Sequence, residues 1–206
     1  MARDTLALLD ALGIARAHIV GASMGGMIGQ NLAVAHPARV ASLTSIMSST
    51  GARNLPGPTP GARRALLLPP AAPGDHEGAV RRMMAVLRAI SSRTHPPDAA
   101  WLRELCERHV ARGHHPSGAM RQLTAIVASG DRTRVVRGIR VPTLVMHGDE
   151  DPLLPLACGE ATATAIRAGG GEVKLEMIRG MGHDLPLPLV AAIARHITEH
   201  CSRYAP

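Results

Sequence analysis

Residues 21–25 read Gly-Ala-Ser-Met-Gly, and they stand between a short apolar run, 17–20, and a stretch of helical period, 24–36, that ends before Pro37. A G-x-S-x-G pentapeptide in that position demands a sharp strand-to-helix turn. The serine takes a strained backbone conformation, and glycines two residues to either side let strand and helix approach without side-chain clash. Such a turn commits the chain to at least one strand–helix unit of an α/β protein, and it pushes Ser23 out where a base can reach it. A glycine-rich turn whose serine only caps the helix is the plainer alternative for the pentapeptide taken alone. A phosphate-cradling loop fits less well, because no Lys-Ser or Lys-Thr follows and the spacing matches no G-x-G-x-x-G.

Around this turn extended and helical periods alternate. Leu6, Leu9 and Leu12 fall at helical spacing before Gly13, so the chain begins inside or just before a helix. Strands are expected at 17–20, 40–47, 141–147 and 173–178, and further helices at 156–167 and 189–201. Residues 51–74, crowded with glycine and proline, read as loop or linker. From 76 to 130 three short helices are expected on the stripes Val80-Met83-Met84-Leu87, Leu102-Leu105-Cys106 and Met120-Leu123-Val127. The alternation implies an α/β fold: a mainly parallel sheet of about four strands, covered by helices on both faces and interrupted by a helical insertion. With 206 residues and 46% apolar content, one sizeable core can be buried and two ordinary domains are not expected.

The formal charge of +7 invites a nucleic-acid reading, but the arginines are scattered from Arg3 to Arg203 and there is no phenylalanine to stack on bases. No nucleic-acid partner is expected. Cys106, Cys158 and Cys201 are an odd number at wide spacing, which suits neither a disulfide framework nor a zinc ribbon. An acid at Asp4 and another at Asp10 spoil a leader at the start, and no run reaches bilayer-spanning length. A soluble, cytoplasmic protein without a membrane partner is the expectation.

A serine hydroxyl is a poor nucleophile at neutral pH and needs an imidazole to take its proton and a carboxylate to orient that imidazole. Asp151 lies just past the third expected strand and His183 just past the fourth, where strand ends present side chains to a common crevice. Asp149 in the same turn competes with Asp151, and either could be a turn-forming aspartate. His196-Ile-Thr-Glu-His200 matches the H-x-x-E-H of inverted zinc proteases, but only six residues follow it, so it reads as the polar face of the last helix. Cys106 with His109, and the pair His114 and His115, have spacings that fit no common metal site. No metal or other cofactor is expected.

Gly21-Ala-Ser-Met-Gly-Gly26, Pro142-Thr-Leu-Val-Met-His-Gly-Asp-Glu-Asp-Pro152 and Gly180-Met-Gly-His-Asp-Leu-Pro186 resemble the nucleophile elbow, acid and histidine segments of α/β-hydrolases, in that family's chain order. The aclacinomycin methylesterase-like and related small-ester members are the most similar group. The resemblance implies Ser23 as nucleophile, Asp151 rather than Asp149 as the acid, and His183 as the base. It also makes Met24 the donor of one oxyanion amide and residues of about 51–138 a helical cap in a single domain, 1–206. Met83, Met84 and Met120 are candidates for a pocket that adapts to irregular apolar substrates, although methionines on helix stripes are more often core. In that family about a third of the fold precedes the elbow, and here some twenty residues do. The expectation is therefore an N-terminally truncated fold with an exposed sheet edge that favours homo-oligomers. Two readings stay open: a hydrolase of a small-molecule ester, and a weak or inactive remnant serving as an oligomerising or binding module. The ester is not identified by the sequence, and carbon–carbon bond hydrolysis, perhydrolysis and aminopeptidase action are related chemistries.

Overall fold

The computed structural model describes residues 1–113 and 115–205. Its elements in chain order are α1 (Ala2–Ala11), β1 (Ala17–Ala22), α2 (Met24–Ala35), β2 (Val40–Ile46), α3 (Pro60–Leu66), α4 (His76–Ile90) and α5 (Ala99–Arg112). They continue with α6 (Pro116–Ser129), α7 (Thr133–Val136), β3 (Thr143–Gly148), α8 (Ala157–Ala168), β4 (Val173–Ile178) and α9 (Leu187–Cys201). The four strands pair in the order β1-β2-β3-β4, all parallel.

Apolar residues on both faces explain why the middle strands are covered twice. Every residue of β2 and β3 is buried, whereas the edge strands β1 and β4 are only partly covered. On one face Leu32 of α2, Leu43 of β2, Val145 of β3 and Ile166 of α8 form a single cluster that Leu6 of α1 joins. On the other, Ile46, Leu144 and Met146 pack against Ile193 and Leu189 of α9. Each aliphatic side chain buried this completely contributes roughly 1.5–3 kcal/mol relative to exposure, which is what holds the helices to the sheet.

Between β2 and β3 lies the helical insertion. Residues 51–74 are not loop throughout, since α3 forms inside them. Thr59 caps it by accepting the Ala62 amide at 3.3 Å, and Pro60 stands where its missing N–H costs nothing. α4 and α5 have a small core of their own, with Val80, Leu102, Cys106 and Val110 buried and Met83, Met84 and Trp101 packed against it. The third expected stripe does form a helix, α6, but its apolar face is open: Met120 is 62% exposed and Val127 72%. The three cysteines are free thiols, and no helix is long and apolar enough to cross a membrane among the described residues.

Candidate active site

Ser23 sits at φ +53°, a left-handed conformation that a residue with a side chain adopts only when its surroundings impose it. Its amide donates to the Ile46 carbonyl at 2.8 Å, so the turn begins while still paired with β2, and its own carbonyl accepts the Ser48 hydroxyl at 2.9 Å. Of the motif's two outer glycines, only Gly21 makes the expected close approach. A Cβ there would fall 2.3 Å from the Gly25 carbonyl group, whereas one on Gly25 would meet nothing within 4 Å. The second tight approach belongs instead to Gly26, where a Cβ would come within 2.7 Å of the Ser48 Cβ. The Met24 amide is the first N–H of α2; helix geometry leaves it without an intrahelical acceptor, and the helix dipole adds partial positive charge there.

β3 ends at Gly148, and the acid loop follows. The Asp151 carboxylate is fully buried: one oxygen accepts the Leu153 and Leu154 amides at 2.9 and 2.8 Å, and the other faces His183 Nδ1 at 2.7 Å. Burial pushes its pKa up, but hydrogen bonds from His147 and His183 and from the Leu154 amide outweigh burial and hold it at about 2. The carboxylate is thus charged at neutral pH and can only accept, which places the proton on Nδ1 and leaves Nε2 as an acceptor. That Nε2 lies 3.0 Å from Ser23 Oγ.

Asp149 is placed elsewhere: its carboxylate accepts the Gly180 amide at 2.7 Å, tying the acid loop to the turn after β4. Reading the sequence alone missed three neighbours. His147 is completely buried, with Nε2 2.6 Å from the Leu154 carbonyl and 3.5 Å from Asp151, so it braces the acid loop from inside. Glu150 links this loop to the insertion through the Arg93 amide and the Ser92 hydroxyl. The partners of Glu150 and Ser92 lie far away along the chain, whereas those of His147 are only seven and four residues on, within a loop whose fold the sequence does not show.

Two cavities flank the site. One of about 110 Å³ is lined by Met24, Asn31 and Ile126, with the buried Arg132 at its edge. A larger apolar one, about 640 Å³, lies between α4–α5 and the segment after His183, with Trp101, Leu105, Asp184 and Leu187 in its walls. Met83, Met84 and Met120 line neither cavity; the first two pack in the α4–α5 core and the third faces solvent.

Cys106 is buried in the α4–α5 core, His109 is exposed, and His114 lies outside the described residues. His196 and His200 are half-buried rather than on a solvated face, His200 edge-on to Tyr204 with ring centres 5.4 Å apart. Burial lowers the His200 pKa. Among the described residues no group of three histidine, cysteine, aspartate or glutamate side chains is arranged to hold a metal ion.

Comparison with known proteins identifies the family of the fold. The family described as alpha/beta hydrolase fold matches residues 1–187. RutD of Variovorax paradoxus (strain S110), named for carbamate hydrolysis, is 30% identical over 209 residues, covering 98% of this chain and 72% of its own. Two further RutD proteins are matched over only 59% and 56% of their length. Rhodomycin D methylesterase DauP of Streptomyces sp. (strain C5) is 29% identical, with 95% of this chain and 72% of DauP covered. Among solved structures, Est816, described as an N-acyl homoserine lactone degrading enzyme, superposes with a TM-score of 0.71 at 25% identity, over 96% of this chain and 72% of its own.

Proposed function

The chain belongs to the α/β-hydrolase family, and from that membership and the geometry at Ser23 we propose that it is a serine hydrolase cleaving a carboxylic ester or related acyl bond through an acyl-enzyme. The observation that carries this reading is the unbroken hydrogen-bonded line from Asp151 through His183 to Ser23, 2.7 Å and then 3.0 Å, ending on a serine in strained backbone.

In this reading His183 Nε2 takes the Ser23 proton as Oγ attacks the substrate carbonyl, and Asp151 stabilises the imidazolium that results. The negative charge that develops on the carbonyl oxygen is met by the Met24 amide, which needs no reorganisation to receive it. The bond to the leaving group breaks as His183 returns the proton to it, giving an acyl-Ser23. Water, deprotonated by His183, then attacks the acyl carbon and releases the acid and the free serine. The α3–α7 insertion acts as a cap over the strand ends.

A carbamate substrate is the second reading, supported by the RutD relative. It uses the same residues, with an alcohol or phenol as leaving group and a carbamoyl-Ser23 that water then hydrolyses. The deciding experiment is labelling with a fluorophosphonate probe. It should modify wild-type chain at Ser23 and leave Ser23→Ala unmodified. An adduct on another serine in both would overturn the assignment. Parallel assays with p-nitrophenyl esters and aryl carbamates then separate the two substrate readings. For assembly, we read the partly exposed edge strand β1, with Val20 47% exposed, as a surface through which copies of the chain self-associate.

A further inference from the structure

Between α4 and α5, residues 90–95 touch both loops that carry the proposed acid and base. The Glu150 carboxylate accepts the Arg93 amide at 2.8 Å, the Thr94 amide at 2.9 Å and the Thr94 hydroxyl at 2.6 Å. On the other side the Ile90 carbonyl accepts the His183 amide at 2.8 Å, and the Ser92 amide donates to Asp184 at 3.1 Å. The Ser92 hydroxyl donates to the Gly180 carbonyl and accepts the His95 amide at 2.7 Å. The segment is therefore a bridge. Glu150 precedes Asp151 in the chain, Gly180 and Asp184 bracket His183, and the insertion joins the two.

We propose that Glu150 is a positioning residue: by gripping residues 93–94 of the insertion it sets the placement of the His183 loop relative to Asp151, and so the alignment of His183 on Ser23. This rests on the reading of Ser23 as nucleophile. The physical argument is one of leverage. The two loops are also tied directly, through Asp149 to the Gly180 amide and through the Glu150 amide to the Met181 carbonyl at 3.2 Å. Those ties hold the base of the turn, while the bridge holds its far end, at His183 itself. Hydrogen bonds from amides and a hydroxyl to an ionised carboxylate are stronger than neutral ones, so this grip is firm for an exposed site. The Thr94 hydroxyl and the Thr94 and Arg93 amides keep the Glu150 pKa at about 2. A carboxylate with a depressed pKa keeps its charge until the pH falls through the folded value, so Glu150 holds residues 93–94 as an anion at neutral pH. A displacement of about 1 Å in a reacting group can cost up to a hundredfold in rate, so a loosened His183 should be read first in chemistry, not in binding.

The test uses the whole chain with 15N-labelled histidine. The Nδ1 proton of His183, held by Asp151, gives a low-field proton resonance, assigned by its loss in Asp151→Asn. In Glu150→Ala this resonance should broaden or vanish, and the phosphonylation rate at Ser23 should fall about tenfold while the probe concentration for half-saturation changes less than twofold. Glu150→Gln, which keeps one acceptor oxygen, should recover part of both, and Thr94→Val should lose part of both. Should Glu150→Ala not fold, Thr94→Val decides. A sharp resonance and a wild-type labelling rate in the folded variants would overturn the proposal, as would absence of the resonance from the unsubstituted chain. So would a rate loss that merely tracks a drop in melting temperature. Ser23→Ala in parallel separates the two failures: normal Glu150→Ala beside unlabelled Ser23→Ala sinks the positioning role alone, and a labelled Ser23→Ala sinks the nucleophile and the positioning role with it.

Discussion

Gly25 and Gly26 are neighbours in the elbow, yet only one of them has no room for a side chain. Gly25→Ala should leave stability unchanged or raise it by up to about 1 kcal/mol through helix propensity. Gly26→Ala, with Ser48 and Ser45 closer than 3 Å to any Cβ, should cost about 1–3 kcal/mol; urea unfolding of the two variants measures the contrast. Asp151 carries a pH signature. Its folded pKa of about 2 lies below the unfolded value of 3.8, so its contribution, roughly 2 kcal/mol, is complete above pH 4 and is lost as pH falls through 2. Asp151→Asn should remove that acid-limb dependence in denaturation measured between pH 6 and 2. It should also lower turnover far more than Asp149→Asn, whose remaining side-chain oxygen can still accept the Gly180 amide. Position after strand ends pointed to Ser23, His183 and either Asp149 or Asp151, and only the resemblance to α/β-hydrolases preferred Asp151, the carboxylate that lies 2.7 Å from His183. Glu150 was not legible in the sequence, because its partners Arg93 and Thr94 are 57 and 56 residues away along the chain.

At the scale of elements, period revealed helices but not what they pack against. α5 and α6 carry apolar stripes of similar spacing. Leu102 on α5 is 2% exposed, whereas Leu123 on α6 is 53% exposed. Leu102→Ala should therefore cost about 2–5 kcal/mol, and Leu123→Lys no more than about 0.5, in thermal or urea unfolding. All four strands were legible, 173–178 to the residue, because β-branched and aliphatic runs bounded by turns have few other readings. α3 was hidden by the glycines and prolines around it, although Thr59 followed by Pro60 is a helix-start signal. α7, at four residues, is too short to show a period at all.

For the whole molecule, the sheet leaves β1 bonded to a neighbour on one side only, with Val20 half in solvent. Static light scattering should show mass rising with concentration, and Val20→Lys should shift it toward the monomer, since a charge on an edge strand opposes edge-to-edge pairing. An unchanged mass in the variant would place self-association on another face, with α6 the next surface to test. The strand order also equals the chain order, so the sheet divides into two consecutive pairs separated by the insertion. Ser23 belongs to the first pair and both of its proposed partners to the second, His183 lying 160 positions after Ser23. Gly74, exposed and with open space around its α-carbon, offers a cut between them. Neither piece would hold a complete core, because Leu32 and Leu43 come from one and Val145 and Ile166 from the other. Probe labelling at Ser23 would then return only on mixing, making the molecule a two-part reporter whose signal is the reunion of its halves.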